Sequence, residues 1–265
     1  MRDNPVKQRL AVGGCSFGTM VFEFFTPGMP QIMRAAGAEF ALFDMEHSGA
    51  GIETIKAQLA ASRGIGLVPT VRVPALQYQF IARCLDMGAM GIMVPMVENA
   101  EQARHIVAAT RYPPRGVRGA AFGVAHDDYE GGPVTDKIAA AEARTVVIAL
   151  IETARGAEAV DAIAAVDGVD VVWLGHFDLT NFMGIPADFE NPRYLRAVDE
   201  IVAAARRHGK CAGMMAGDER WAREYLAKGF RIIAYGLDHL LFQQALGQGL
   251  RALRETAGTL QELET

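Results

Sequence analysis

The sequence predicts one (β/α)₈ TIM barrel, an α/β fold, as a single domain across residues 1–265. Three observations carry this expectation: eight short apolar runs of strand length, helical patterns between most of them, and glycines at the helix-to-strand passages. A barrel of this kind needs ~250 residues, which the chain supplies.

The strand candidates are residues 16–20, 40–44, 67–72, 90–95, 146–152, 169–175, 211–215 and 232–235. Most are continuously apolar rather than alternating, as parallel strands covered on both faces are. Helical stretches with apolar residues every three or four positions fall at 52–63, 77–87, 100–110, 154–165, 192–208 and 222–228. Gly37, Gly64, Gly88, Gly168, Gly209 and Gly229 punctuate the passages back to strand, where a glycine enters the left-handed region without steric cost. Eight strands and no GxGxxG after the first place a doubly wound open sheet second to a closed barrel. Two segments exceed a minimal barrel. One is an insert at 111–145 carrying Tyr112-Pro113-Pro114-Arg115-Gly116-Val117-Arg118-Gly119, and the other is the loop 181–191 after the sixth strand. Connections of the insert's length are usually functional.

Hydrophobic residues make up 51% of the chain and the net charge is −5, which fits a soluble domain with a sizeable core. No cluster of Lys and Arg suggests nucleic acid. The polar start, Met1-Arg2-Asp3-Asn4-Pro5, leads into no apolar signal region, and no apolar run approaches the ~20 residues of a membrane span. Cys15, Cys84 and Cys211 are odd in number and lack CxxC spacing, so free thiols in a reducing cytoplasm are expected.

In a barrel, chemistry gathers where the strands end, because the following loops build one shared mouth. Strand two ends Phe43-Asp44-Met45-Glu46-His47, where Asp44 could orient His47 as a general base. The bland alternative is a surface histidine beside solvated carboxylates. Arg72 closes strand three and needs an anion, either a substrate carboxylate or a structural Asp or Glu. Strand five ends in Glu152, and strand six runs into Gly175-His176-Phe177-Asp178. Glu152 and Asp178 lie one βα unit apart and would repel unless a cation or arginines sit between them. Oxygen ligands alone favour Mg²⁺ or Mn²⁺. His105 and His208 read as surface residues, His126 as part of a solvated loop, and His239 as a helix start.

With these segments in place, the chain resembles the HpcH/HpaI aldolase family of pyruvate-dependent class II aldolases, from residue 18 to about 246. The specific pieces are Phe43-Asp44-Met45-Glu46-His47, Val71-Arg72-Val73, Gly88-Ala89-Met90-Gly91-Ile92-Met93-Val94-Pro95, Arg115-Gly116-Val117-Arg118-Gly119, Ile151-Glu152-Thr153 and Gly175-His176-Phe177-Asp178-Leu179.

The resemblance implies a metal-dependent lyase that reversibly cleaves a 4-hydroxy-2-oxo acid into pyruvate and an aldehyde through a metal-bound enolate. It implies Glu152 and Asp178 as ligands of Mg²⁺ or Mn²⁺, with Co²⁺ a further option, and Arg72 on the keto oxygen. His47 with Asp44 would handle proton transfer through a metal-bound water. Gly175, His176 and Asp178 would hold the carboxylate by backbone amides. It also implies a homo-oligomer, a hexamer built as a trimer of dimers, with the helix at 238–256 exchanged between subunits. The departures are Leu150 where many members have Gln, His176 in place of Pro after Gly175, and Gly119-Ala120-Ala121-Phe122-Gly123 without a further arginine. Oxaloacetate decarboxylation, citramalyl- or malyl-CoA cleavage, and a barrel that binds a keto acid without turnover are the alternatives.

Overall fold

The computed structural model describes residues 1–263, with side chains described to residue 259. Eight parallel strands close on themselves in sequence order, β1 beside β2 and so on round to β8 beside β1.

Helix α1 (Pro5–Ala11) precedes β1 (Ser16–Val21), and α2 (Met29–Ala35) leads to β2 (Phe40–Asp44). Then come α3 (Ile52–Ala61), β3 (Val68–Arg72), α4 (Tyr78–Asp86), β4 (Gly91–Val94) and α5 (Ala100–Thr110). The insert is not a bare loop: it holds a 3₁₀ turn (Ala125–Asp127) and α6 (Val134–Arg144) before β5 (Val146–Ile151). Residues 154–165, expected as one helix, form α7 (Ala154–Glu158) and α8 (Val160–Ala164). The break falls at Ala159, whose φ −95° and ψ 3° leave the helical region. Next are β6 (Val171–Leu174), α9 (His176–Phe182), α10 (Pro192–Arg207), β7 (Cys211–Ala216), α11 (Glu219–Lys228), β8 (Ile232–Leu237) and α12 (Asp238–Leu263).

Local chemistry explains the boundaries. Asn4, Asn99, Thr153 and Asp218 each accept a backbone N–H of the following helix, at 2.7–3.0 Å. All six glycines expected to punctuate the helix-to-strand passages have positive φ, from 63° to 119°.

Alternation along the strands then divides the core in two. Outward residues such as Val71, Ile92, Ala149 and Val172 pack against the helices. Inward residues, including Met20, Leu42, Met93, Ile148, Leu150 and Trp173, fill the barrel. The barrel interior is therefore packed solid beneath its mouth. No described helix is long and apolar enough to cross a membrane. Helix α12 leaves Phe242, Leu246, Leu250 and Leu253 exposed.

Candidate active site

The strand ends bring Phe22, His47, Arg72, Glu152, Gly175, His176 and Asp178 around one cavity of about 210 Å³. Its remaining lining is apolar, with Met20, Met93, Leu150, Trp173, Met215 and Leu237 among the residues. Leu150 sits two residues before Glu152, one layer deeper into the barrel.

Asp44 and Arg72 are register partners on β2 and β3. Arg72 donates its Nε to Asp44 Oδ1 at 2.5 Å, and its Nη1 lies 3.1 Å from Glu46 Oε2. The guanidinium lies 5.2 Å from the centre of the Phe22 ring, a cation–π contact. Its Nη2 is buried and unpartnered, which leaves one donor for a ligand. The structural alternative for this arginine is present, with Asp44 and Glu46 as its carboxylates, and its Nη2 edge stays unpaired.

The expected Asp44–His47 pairing takes a different form. Asp44 Oδ2 accepts the backbone N–H of His47 at 2.7 Å, and no ring nitrogen of His47 lies within ion-pair distance of it. The imidazole is half exposed, with Nε2 3.8 Å from Glu46 Oε2. Asp44 thus shapes the turn that carries His47 rather than orienting its ring. Glu46, quoted in the sequence motif without a role, is the carboxylate that joins His47 to Arg72.

Glu152 is 2% exposed and its Oε1 accepts the N–H of Met96 at 2.7 Å. Met96 has φ 58°, an uncommon conformation for a side chain of this size. Burial pushes the Glu152 carboxyl up to about 8, and nearby Glu46 and Asp178 add to the rise. Gly175 lets β6 pass close by, since a Cβ there would stand 2.6 Å from Glu152 Cβ and 2.8 Å from Oε2. Asp178 is half-buried, and among the described residues its carboxylate has no ion-pair partner.

His176 begins α9 and is 4% exposed, with its ring 5.1 Å from Trp221 and 5.6 Å from Phe189. Burial pulls this imidazole down to about 4, so it is neutral at pH 7. Trp221 and Phe189, contributed by α11 and the loop after α9, had no marker in the sequence beyond their aromatic type.

The donor set is suited to a hard divalent cation. Asp44 and Glu46 already occupy the one arginine, Arg72, while Glu152 is 2% exposed and, among the described residues, has no cation within ion-pair distance. Excess buried carboxylate of this kind is stable only protonated or beside a cation. Among the described residues no group of three His, Cys, Asp or Glu forms a full protein cage, so water or substrate oxygens would complete the coordination.

The other histidines lie elsewhere. His126 corrects the expectation of a solvated loop: it is 1% exposed and its Nε2 lies 2.7 Å from the Ala121 carbonyl. His208 pairs with Asp161 at 2.9 Å, and His239 stands at the start of α12.

Residues 20–245 match the HpcH/HpaI aldolase/citrate lyase family. The chain is 35% identical over 251 residues to the hydroxypyruvate/pyruvate aldolase of Roseovarius nubinhibens, covering 95% of this chain and 97% of the relative. It is 39% identical over 233 residues to the 4-hydroxy-2-oxovalerate aldolase of Novosphingobium aromaticivorans, covering 86% and 87% respectively. A solved HpcH/HpaI aldolase from Desulfitobacterium hafniense superposes with a TM-score of 0.90 at 27% identity, over 94% of this chain and 96% of that one. Sequence match, aldolase relatives and a shared closed barrel together make this chain a member of the HpcH/HpaI aldolase/citrate lyase family.

Proposed function

We propose that the protein is a carbon–carbon lyase that cleaves a 4-hydroxy-2-oxo acid to pyruvate, or a close 2-oxo acid, and an aldehyde, reversibly. The observation that carries this is the meeting of Glu152 and Asp178 with the free Nη2 edge of Arg72 over one cavity.

Glu152 and Asp178 would hold a divalent cation, with Mg²⁺ or Mn²⁺ favoured and Co²⁺ acceptable to the same oxygen donors. When bound, it supplies Lewis-acid polarisation of the 2-oxo acid and fixes its orientation. Arg72, held on its other edges by Asp44 and Glu46, donates Nη2 to the keto oxygen as charge develops there. His47 takes the proton of the 4-hydroxyl while the C3–C4 bond breaks. The bonding electron pair stays with C3 as the enolate, C4 leaves as the aldehyde carbonyl, and a proton returned to C3 gives pyruvate. Backbone amides around Gly175, His176 and Asp178, where β6 passes into α9, would hold the donor carboxylate, while the His176 ring packs on Phe177, Phe189 and Trp221.

Oxaloacetate decarboxylation would use the same donor half without the aldehyde. The exposed apolar face of α12 supports a homo-oligomer, a hexamer as a trimer of dimers with α12 packed on a neighbour. The free thiols suit the cytoplasm.

The test is a coupled pyruvate-release assay on 4-hydroxy-2-oxo acids, with and without EDTA and with Glu152→Ala. Chelation and Glu152→Ala should each remove activity, and Mg²⁺ or Mn²⁺ should restore the chelated enzyme. Turnover untouched by either change would rule the mechanism out.

A further inference from the structure

Strand β4 ends at Val94, in register with Ala149 of β5, and the chain then turns sharply through Pro95 and Met96. Pro95 has no N–H with which to extend the ladder. Met96 enters the left-handed region, which residues other than glycine, asparagine and aspartate seldom adopt. The turn sends two successive N–H groups back to β5. Met96 donates to Glu152 Oε1 at 2.7 Å, and Val97 donates to the Leu150 carbonyl at 3.2 Å. Gly156 makes room for this turn, since a Cβ there would stand 2.5 Å from the Val97 carbonyl oxygen.

Side-chain packing does not offset the conformation of Met96, whose side chain is 40% exposed. The other described non-glycine residues with positive φ are Asp128, Tyr129 and Ala187. Their N–H groups go to the Ala125 and Val124 carbonyls and to the Thr180 hydroxyl, all outside the cavity. Met96 alone among them aims its N–H at a cavity carboxylate.

That N–H makes the two oxygens of Glu152 unequal. Oε1 is engaged, whereas Oε2 accepts no hydrogen bond among the described residues and lies beside Gly175. The last torsion of a glutamate is broad and nearly two-fold, so a free carboxylate would present either oxygen. A donor that holds one oxygen removes this freedom, as partners of metal-binding side chains commonly do.

We infer that Met96 is a positioning residue: its left-handed backbone fixes Glu152 through Oε1 and leaves Oε2 as the oxygen offered to the cavity and to a divalent cation. The cation part rests on the function proposed above, whereas the hold on Glu152 belongs to the metal-free chain.

Met96→Val and Met96→Gly test it together. A β-branched side chain opposes the left-handed backbone, and glycine enters it freely. Calorimetry on the substrate-free protein should show Mn²⁺ binding about tenfold weaker in Met96→Val, while Met96→Gly should restore it to within about twofold of wild type. Crystals of metal-free Met96→Val should show the Glu152 carboxylate turned away from residue 96. A Met96→Val protein that melts earlier but keeps its Mn²⁺ affinity would confine Met96 to the turn and overturn the inference. Equal weakening in both variants would also overturn it, by assigning the effect to the methionine side chain. If wild type binds no Mn²⁺ while Glu152 still turns in metal-free Met96→Val, the cation reading fails and the positioning stands. Should Met96→Val fail to fold, hydrogen exchange on metal-free protein decides. The Met96 amide should exchange at least about tenfold faster in Glu152→Ala than in wild type, and equal rates would overturn the hold.

Discussion

Asp44 and Arg72 face each other across adjacent strands, and one carboxylate oxygen of Asp44 receives Nε while the other receives the backbone N–H of His47. A single buried side chain thus sets both the arginine and the histidine. Asp44→Asn keeps an acceptor for only one of them, so kcat should fall by about a hundredfold with a smaller change in KM. Asp44→Ala leaves Arg72 with Glu46 alone and should cost about 3 kcal/mol of stability. Steady-state kinetics and urea unfolding separate the two effects.

Gly175→Ala should weaken cation activation at least about tenfold, because the added Cβ collides with Glu152 rather than with a flexible tip. Gly217→Ala is the control, since nothing stands within 4 Å of a Cβ there. Activity titrated against Mn²⁺ reads both variants, and an unchanged midpoint in Gly175→Ala would contradict the close approach.

Asp238 accepts the backbone N–H groups of Phe22, Glu23 and Phe24 at 2.7–3.0 Å and thereby shapes the loop that lays Phe22 against Arg72. Burial alone would raise its carboxyl, but those three donors outweigh burial and hold it below the usual carboxylate range. A depressed carboxyl contributes stability above its unfolded value, and that contribution disappears as pH falls through the folded value. Wild type should therefore lose stability below about pH 4 more steeply than Asp238→Asn does. Thermal melts across acid pH would show the difference, and parallel curves would contradict it.

Leu246→Glu combined with Leu253→Glu places charge on the exposed apolar face of α12. Sedimentation should show the assembly shifting to smaller species while the circular dichroism spectrum keeps its barrel signature. An unchanged sedimentation coefficient would remove α12 from the interface.

All eight strands are legible in the sequence because parallel barrel strands are apolar on both faces, and the carboxylates and arginine that end them break that pattern visibly. The ring partners are not legible. Glu46 reaches Arg72 only because the turn after β2 folds it back over β3, and Met96 reaches Glu152 through backbone rather than side chain. His126 read as solvated because its segment is polar. Its burial comes from Phe122, Tyr112 and the packing of the insert, which no local pattern announces. Helices α1, α2 and α9, seven residues each, were too short to display a repeat.

The packed interior beneath Leu150 and Trp173 means the barrel has no back door. Whatever binds against Glu152 and Asp178 must arrive first, and whatever joins it must arrive behind and depart ahead. On the proposed placement of the 2-oxo acid at Glu152 and Asp178, it should precede the aldehyde in the synthetic direction. In cleavage the aldehyde should then leave first, so product-inhibition kinetics should show pyruvate competing with the hydroxy-oxo acid for the free enzyme and the aldehyde inhibiting noncompetitively.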